Sequence, residues 1–263
     1  FLFAGILLLA QFGTCGCGDE GLSPLERLES AASAAREAGS AHAQVFVAVS
    51  PQEGEKGTGM NVQGDLWADI DAGELEARLT LLGMELSLRY AGGRAYIRFG
   101  GEWYVLEGGI AEGVDEETVR ALAGLMGVAP DIGTSAEGAE KVGEKKVGDF
   151  DCVILKVEPD LAAIASLPEA QSLSRALGMS ADEVVAYLEE ARVAMEVCVQ
   201  KDEPVIREVF VAADVELPDM GEVAGIPLLP QKAHLEIIMQ FPAFGVEVDV
   251  QPPPQAKPFR GLL

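Results

Sequence analysis

Positive charge and histidine are what this sequence has least of. Its 263 residues carry 19 lysines and arginines against 43 acidic side chains and only two histidines, for a net charge of −24 at neutral pH. A charge of that sign repels phosphate backbones and anionic surfaces, so nucleic acid is excluded as a principal ligand and electrostatic adsorption as a route onto a membrane. His42 and His234 cannot build a histidine-rich metal site, and neither Cys-x-x-Cys nor His-x-x-x-His occurs. Residues 57–64, GTGMNVQG, hold three glycines but lack both the lysine and the spacing of a phosphate loop, and read as a turn entering a strand.

Catalytic constellations are missing too. Each histidine sits in a strand pattern without a serine, cysteine or acid at a motif spacing, and both are read as ordinary strand residues. Asp69 with Asp71 and Asp149 with Asp151 put paired carboxylates on one strand face; the acidic excess makes them solvated surface, not calcium ligands or an acid–base pair. No catalytic residue, metal or cofactor is expected, and the reading is not that of an enzyme. What is present is apolar: 49% of the residues are hydrophobic and 24% charged, the balance of a folded domain with one ordinary core.

From Phe1 to Thr14 only Gln11 and Thr14 are clearly polar, and 14 residues fall short of the roughly 20 that span a bilayer as a helix. The segment reads as the apolar part of a secretory signal followed by small residues at a processing site. Cys15 and Cys17 then resemble a bacterial lipobox, whose cysteine is acylated with chains such as palmitate and becomes the first residue after cleavage. Cys17, preceded by Gly16, fits better than Cys15, preceded by Thr14; a plain secreted protein is the alternative. The expected division is a signal peptide over 1–16, a tether over 17–22, a folded domain over 23–250 and a proline-rich tail over 251–263 that cannot continue a sheet.

Ser23, Pro24 and Glu26 form a capping box that opens a helix carrying Leu25, Leu28, Ala32 and Ala35, with Gly39 after it. Alternation then replaces the helical period. Val45, Val47 and Val49 share a face, as do Met60, Val62, Leu66 and Ile70, then Leu75 to Leu81, Met84 to Tyr90, Ala95 to Phe99, and Trp103 with Val105. Glycine-rich turns separate the runs, so six strands make a meander with one apolar face. Asp115 caps a helix through Val119, Leu122, Leu125 and Met126, and residues 133–148 read as a loop or a short connecting piece. Short helices follow at Leu161–Leu167 and Ala170–Leu177, and Ser180 with Glu183 caps another. Strands return at Arg192–Gln200, Val205–Asp214, Lys232–Phe241 and Val246–Val250. The fold class is α+β: a large curved antiparallel sheet of about ten strands, a half-barrel, with helices covering its concave face.

Residues 149–157 (DFDCVILKV) alternate as a further strand holding Cys152, and Cys198 falls in the strand Arg192–Gln200. Pairing them directly opposite each other puts Val153 against Val197, Leu155 against Met195 and Val157 against Val193, so the apolar faces coincide and a cross-strand disulfide is expected as a structural staple. Apolar surface is then what carries functional information. Either helices and sheet close on each other completely, or they leave a cavity lined by Leu66, Leu79, Leu86, Leu88, Ile97, Leu122, Leu125, Met126, Leu155, Leu173, Leu177 and Met195.

Residues 37–49 (EAGSAHAQVFVAV), 58–70 (TGMNVQGDLWADI), 74–90 (ELEARLTLLGMELSLRY), 92–107 (GGRAYIRFGGEWYVLE) and 244–254 (FGVEVDVQPPP) carry a resemblance. With the cysteine-bearing start, the chain resembles actinobacterial cell-envelope lipoproteins of the LppX/LprG type and, more distantly, the periplasmic carrier of outer-membrane lipoproteins. The resemblance implies a half-barrel enclosing an apolar pocket for acylated lipids, lipid anchoring on the extracytoplasmic face of the cell membrane, and lipids or lipoproteins as cargo. A sensor or structural lipoprotein acting through an envelope protein partner is the alternative on the same fold.

Overall fold

The structure is a computed structural model that describes residues 21–55, 58–69, 71–106, 135–166, 171, 180–216, 222–223, 226–227 and 230–258. Helix α1 (Pro24–Glu37) begins as its sequence dictates. The Glu26 amide donates to Ser23 Oγ at 3.3 Å, the Ser23 amide donates to Glu26 Oε2 at 2.8 Å, and Pro24 stands where its missing N–H costs nothing. Six strands follow: β1 (Ser40–Pro51), β2 (Met60–Asp69), β3 (Glu74–Leu81), β4 (Met84–Ala91), β5 (Arg94–Phe99) and β6 (Glu102–Val105). Then come β7 (Ala136–Val147), β8 (Phe150–Pro159), α2 (Leu161–Ser166), α3 (Ala181–Glu190), β9 (Ala194–Gln200) and β10 (Ile206–Glu216). A two-stranded ribbon, β11 (Glu222–Val223) with β12 (Ile226–Pro227), precedes β13 (Lys232–Phe244) and β14 (Ala256–Pro258).

Among the described residues, twelve strands form one open sheet in the order β14-β6-β5-β4-β3-β2-β1-β13-β10-β9-β8-β7, antiparallel except where β14 joins β6. Its centre is β1–β13, the strand following α1 paired with the long returning strand. Helix α1 packs on β1, β9, β10 and β7. β1 and β7 are five strand spacings apart in the order, about 24 Å in a flat sheet. One helix reaches both because the sheet curls round it. The large open antiparallel sheet with few helices is therefore the architecture the alternation predicts.

Four local expectations change. Residues 136–147, read as part of a loop, are the outermost strand β7. Its sequence AEGAEKVGEKKV has the lysines and glutamates of an edge that faces solvent, and edge strands need little apolar alternation. Val246–Val250 is extended chain and not a strand; the Gly245 amide donates to the Ser40 carbonyl and Ser40 Oγ donates to the Val246 carbonyl at 2.7 Å. The tail, expected to leave the sheet, adds β14, with Pro258 at the strand's end on the sheet's edge, where proline is tolerated. In β6 the apolar face continues through Tyr104, opposite Ile97, while Trp103 and Val105 turn to the other face beside Arg98 and Tyr96.

The cysteine register also differs. Val153 pairs with Val199, Leu155 with Val197 and Val157 with Met195, so Cys152 stands opposite Gln200 and Cys198 opposite Ile154. The slip is two residues, which preserves the face of every side chain and lets the same apolar sets meet. The thiols end as diagonal neighbours, a spacing of about 7–8 Å that exceeds disulfide reach. Both are free and buried, and no disulfide links them.

Candidate functional site

The face of the sheet that carries α1 is built from aligned rows of side chains. One runs Leu155, Val197, Val209, Met239, Val45, Gly64, Leu79, Leu86, from β8 to β4. Its neighbour runs Met195, Val211, Ile237, Val47, Val62, Leu81, Met84. On the α1 side follow Ala43, Leu66, Ala77, Leu88, Ile97, Tyr104, then Ala41, Ala68, Leu75, Tyr90, Ala95. None of these rows carries a charged side chain, in a chain with 43 acids and 19 bases.

Two helical caps close the ends of this face. Leu28 and Ala31 of α1 sit in a core with Ala41, Ala68, Leu75, Tyr90, Leu155, Val197 and Phe241. Beyond α3, Ala191 packs with Val49, Ala213, Val215 and Ala233, and Tyr187 joins them while its hydroxyl donates to the Glu216 carbonyl at 3.0 Å. Between the caps lies a belt that neither helix seals. Val45, Val47, Val62, Leu79, Leu86, Val211, Ile237 and Met239 are half-buried, and Met84 at its rim is 53% exposed.

Of the residues named from the sequence as a pocket lining, Leu66, Leu79, Leu86, Leu88, Ile97, Leu155 and Met195 share this face. Leu155 and Met195 belong to the closed core, whereas the other five are half-buried. Leu122, Leu125, Met126, Leu173 and Leu177 lie outside the described residues, as do Cys15 and Cys17. Sequence reasoning passed over the central contribution of Val45, Val47, Val211, Ile237 and Met239. The alternation of Val45, Val47 and Val49 was its visible signal, but which strands become neighbours was not.

The opposite face is polar. His42 stacks on Trp67, with ring centroids 4.8 Å apart, and its Nε2 lies 2.9 Å from Asp65 Oδ1. Arg78 reaches Glu76 at 2.8 Å and sits 5.0 Å from the Trp67 ring; Arg89 lies 3.3 Å from Glu76 and 4.8 Å from the Trp103 ring. Across β13 and β1 to β6 this face is hollowed into a cavity of about 750 Å³. Leu79 and Leu86 border it, yet its lining is mainly polar and it opens to solvent.

Further along the same face Cys152, Cys198 and Val147 form a small core with Phe150 and Ile154. Burial pushes the Cys152 thiol up and the Cys198 thiol to about 12. Lys145 pairs there with the buried Glu208. The Arg207 guanidinium lies 3.7 Å from the Phe150 ring centroid and donates to the carbonyls of Phe241 and Pro242.

No protein-family model matches the chain, and comparison with curated protein sequences finds no match. Among solved structures it is similar to LprF from Mycobacterium bovis, with 11% identity and a TM-score of 0.45 over 88% of this chain and 96% of that one. It is likewise similar to the Mycobacterium tuberculosis lipoprotein LppX, with 11% identity and a TM-score of 0.45 over 85% of this chain and 98% of that one. A LolA superfamily protein from Nitrosomonas europaea matches at 8% identity and a TM-score of 0.26, over 84% of this chain and 92% of its own.

Proposed function

We propose that this protein binds acylated lipids on the charge-free belt between α1 and α3, and holds or carries them outside the cytoplasmic membrane. The observation that supports this is the belt itself: rows of valine, leucine, isoleucine and methionine, without a charge and only half-buried, on a chain of −24. A surface of that kind costs free energy in water and gains it when an acyl chain covers it, at about 0.8 kcal/mol per buried methylene. Ten methylenes supply about 8 kcal/mol before the costs of association and ordering. Binding needs no covalent chemistry. Leu66, Leu79, Leu86, Leu88 and Ile97 would form the wall nearest β4 and β5, and Leu122, Leu125, Met126, Leu173 and Leu177 are proposed to complete it.

Attachment to the extracytoplasmic face of the membrane is proposed through acyl chains on Cys17, with Cys15 as the alternative, because a net charge of −24 opposes adsorption. Native mass spectrometry of the purified protein tests the lipid reading: acyl lipid should co-purify, and Leu86→Asp should lose it. Recovery of an empty protein with one stoichiometric protein partner would overturn it and favour an envelope-protein interaction. Labelled palmitate should enter the wild type and fail to enter Cys17→Ala; undiminished labelling would move the anchor to Cys15.

A further inference from the structure

The hollow on the face opposite α1 is a second surface with its own chemistry. Its volume, about 750 Å³, is that of a small-molecule site. Three of the chain's few basic residues, Arg78, Arg89 and Arg98, line it, and so do three acids, Asp65, Glu76 and Glu85. Formal charge in the hollow therefore cancels, on a molecule whose total is −24. Most of these groups are already engaged. Arg78 and Arg89 share Glu76, Asp65 faces His42, and the Gln44 amide donates to Asp65 at 3.4 Å. Arg98 and Glu85 have no ion pair among the described residues, and each lies opposite a hydroxyl: Ser87 is opposite Arg98 and Thr80 opposite Glu85.

That leaves one free cation, one free anion, two hydroxyls and the Gln63 amide lining the hollow, with Trp103, Phe46 and Ile238 as apolar wall. An anion entering here would meet Glu85 and Asp65 as well as Arg98, inside the field of a strongly acidic protein, and gains little. An apolar chain would strip water from unpaired polar groups at a cost. A sugar suits both halves of the lining. Each hydroxyl donates and accepts, so carboxylate, guanidinium, amide and hydroxyl partners all serve it, while the C–H face of the ring covers aromatic and aliphatic wall.

We propose that this hollow binds a neutral oligosaccharide, with Arg98, Glu85, Ser87 and Gln63 as its hydrogen-bonding groups. It opens on the other face of the sheet from the apolar belt, sharing with it only the strand positions Val45, Leu79 and Leu86, and does not depend on lipid binding there. Both tryptophans of the chain, Trp67 and Trp103, stand on this face, so their emission reports this surface and not the belt. Titration of the full chain with cellohexaose, maltohexaose and mannohexaose, followed by tryptophan emission and calorimetry, is expected to give saturable binding of at least one. Glucose 6-phosphate should bind no better than glucose. Arg98→Ala and Glu85→Ala, both at exposed positions, should each weaken the sugar at least about tenfold, about 1.4 kcal/mol. Leu88→Asn, on the other face, should leave it unchanged. No saturable binding of any of the three oligosaccharides, tighter binding of the phosphate than of glucose, or equal loss in Leu88→Asn would each overturn the assignment.

Discussion

One face of one sheet is used in two ways. From β8 to β10 the side chains under α1 are sealed: Leu155, Val197, Val199 and Val209 are at most 1% exposed. From β2 to β5, beyond the sealed Ala68, Leu75, Tyr90 and Ala95, the residues Leu66, Leu79, Leu86, Leu88 and Ile97 on the same face are half-open. Residue type does not separate the arms, since both are built of branched aliphatic side chains in strict alternation. The difference is where α1 lies, and the helix lies over the first arm because its stripe of Leu28, Ala31, Ala32 and Ala35 is small enough to nest in a curled sheet. The sealed arm is stability; the open arm is surface held in reserve for something apolar.

The largest effect should come from the sealed arm. Leu155→Ala leaves a cavity that the surrounding strands cannot fill and should cost about 2–5 kcal/mol, read from denaturant midpoints. Leu88→Ala, on the open arm, should cost less, about 1–2 kcal/mol, because its side chain is only partly buried. It should instead weaken a fluorescent fatty acid such as cis-parinaric acid about tenfold. Equal stability losses at the two positions would break the comparison and make the open arm ordinary core.

Next comes the joint between the arms and the hollow. Gly64, opposite Leu79, lets β2 and β3 approach so closely that a methyl group would stand 2.0 Å from the Arg78 carbonyl oxygen and 2.8 Å from the Leu79 Cα. Backbone cannot yield as a side chain tip can. Gly64→Ala should therefore cost about 1–3 kcal/mol and disturb both faces at once, so tryptophan emission should shift along with fatty-acid binding. A silent substitution would mean that the pinch is not what shapes the open arm.

Much of this was legible in the sequence. Capping boxes at Ser23 and Ser180 placed α1 and α3, and alternation with glycine turns placed β1 to β6, because both signals are local. The shared face of seven of the anticipated lining residues followed from the same period of two. Three things were not legible, each for a physical reason. β7 hides because a charged edge strand resembles a loop. The cysteine register hides because a slip of two residues satisfies the same apolar match. The polar hollow hides because its parts come from seven strands, and no five-residue window contains more than four of them.

The thiols, on the opposite face of the same strands, give a smaller, pH-dependent effect. With Cys198 pushed to about 12 by burial, its neutral form is favoured in the folded state. That contribution is fully present below the unfolded thiol's value, about 8.5, and is lost as pH rises towards 12. Cys198→Ala should flatten the alkaline fall in stability between about pH 9 and 11. Ellman's reagent should find Cys152 and Cys198 silent in the native protein at pH 8 and both reactive after unfolding without reductant. A thiol pair that remains silent after unfolding would restore the disulfide and tie β8 to β9 covalently.

The smallest effect lies at the sheet's far edge. Glu144 on β7 receives Lys141 at 2.7 Å and Lys201 at 2.5 Å, and these two bonds hold its carboxyl down at about 2. Because the folded value is depressed, whatever the pair contributes is present above the ordinary carboxylate range and fades as pH falls towards 2. The group is fully exposed, so salt should screen it and Glu144→Gln should barely move the melting temperature at neutral pH. Carboxyl NMR titration should nevertheless place its midpoint well below that of other surface glutamates, and a midpoint near 4 would mean the edge is untied. Glu102 at the opposite edge is also held down, chiefly by Lys257 of β14, so both margins of the open sheet carry a lysine–glutamate clasp across strands. Charge at such margins opposes strand-to-strand association between molecules. Neutralising Glu144 should therefore show first as a greater tendency to self-associate, measurable by light scattering, before any loss of fold appears.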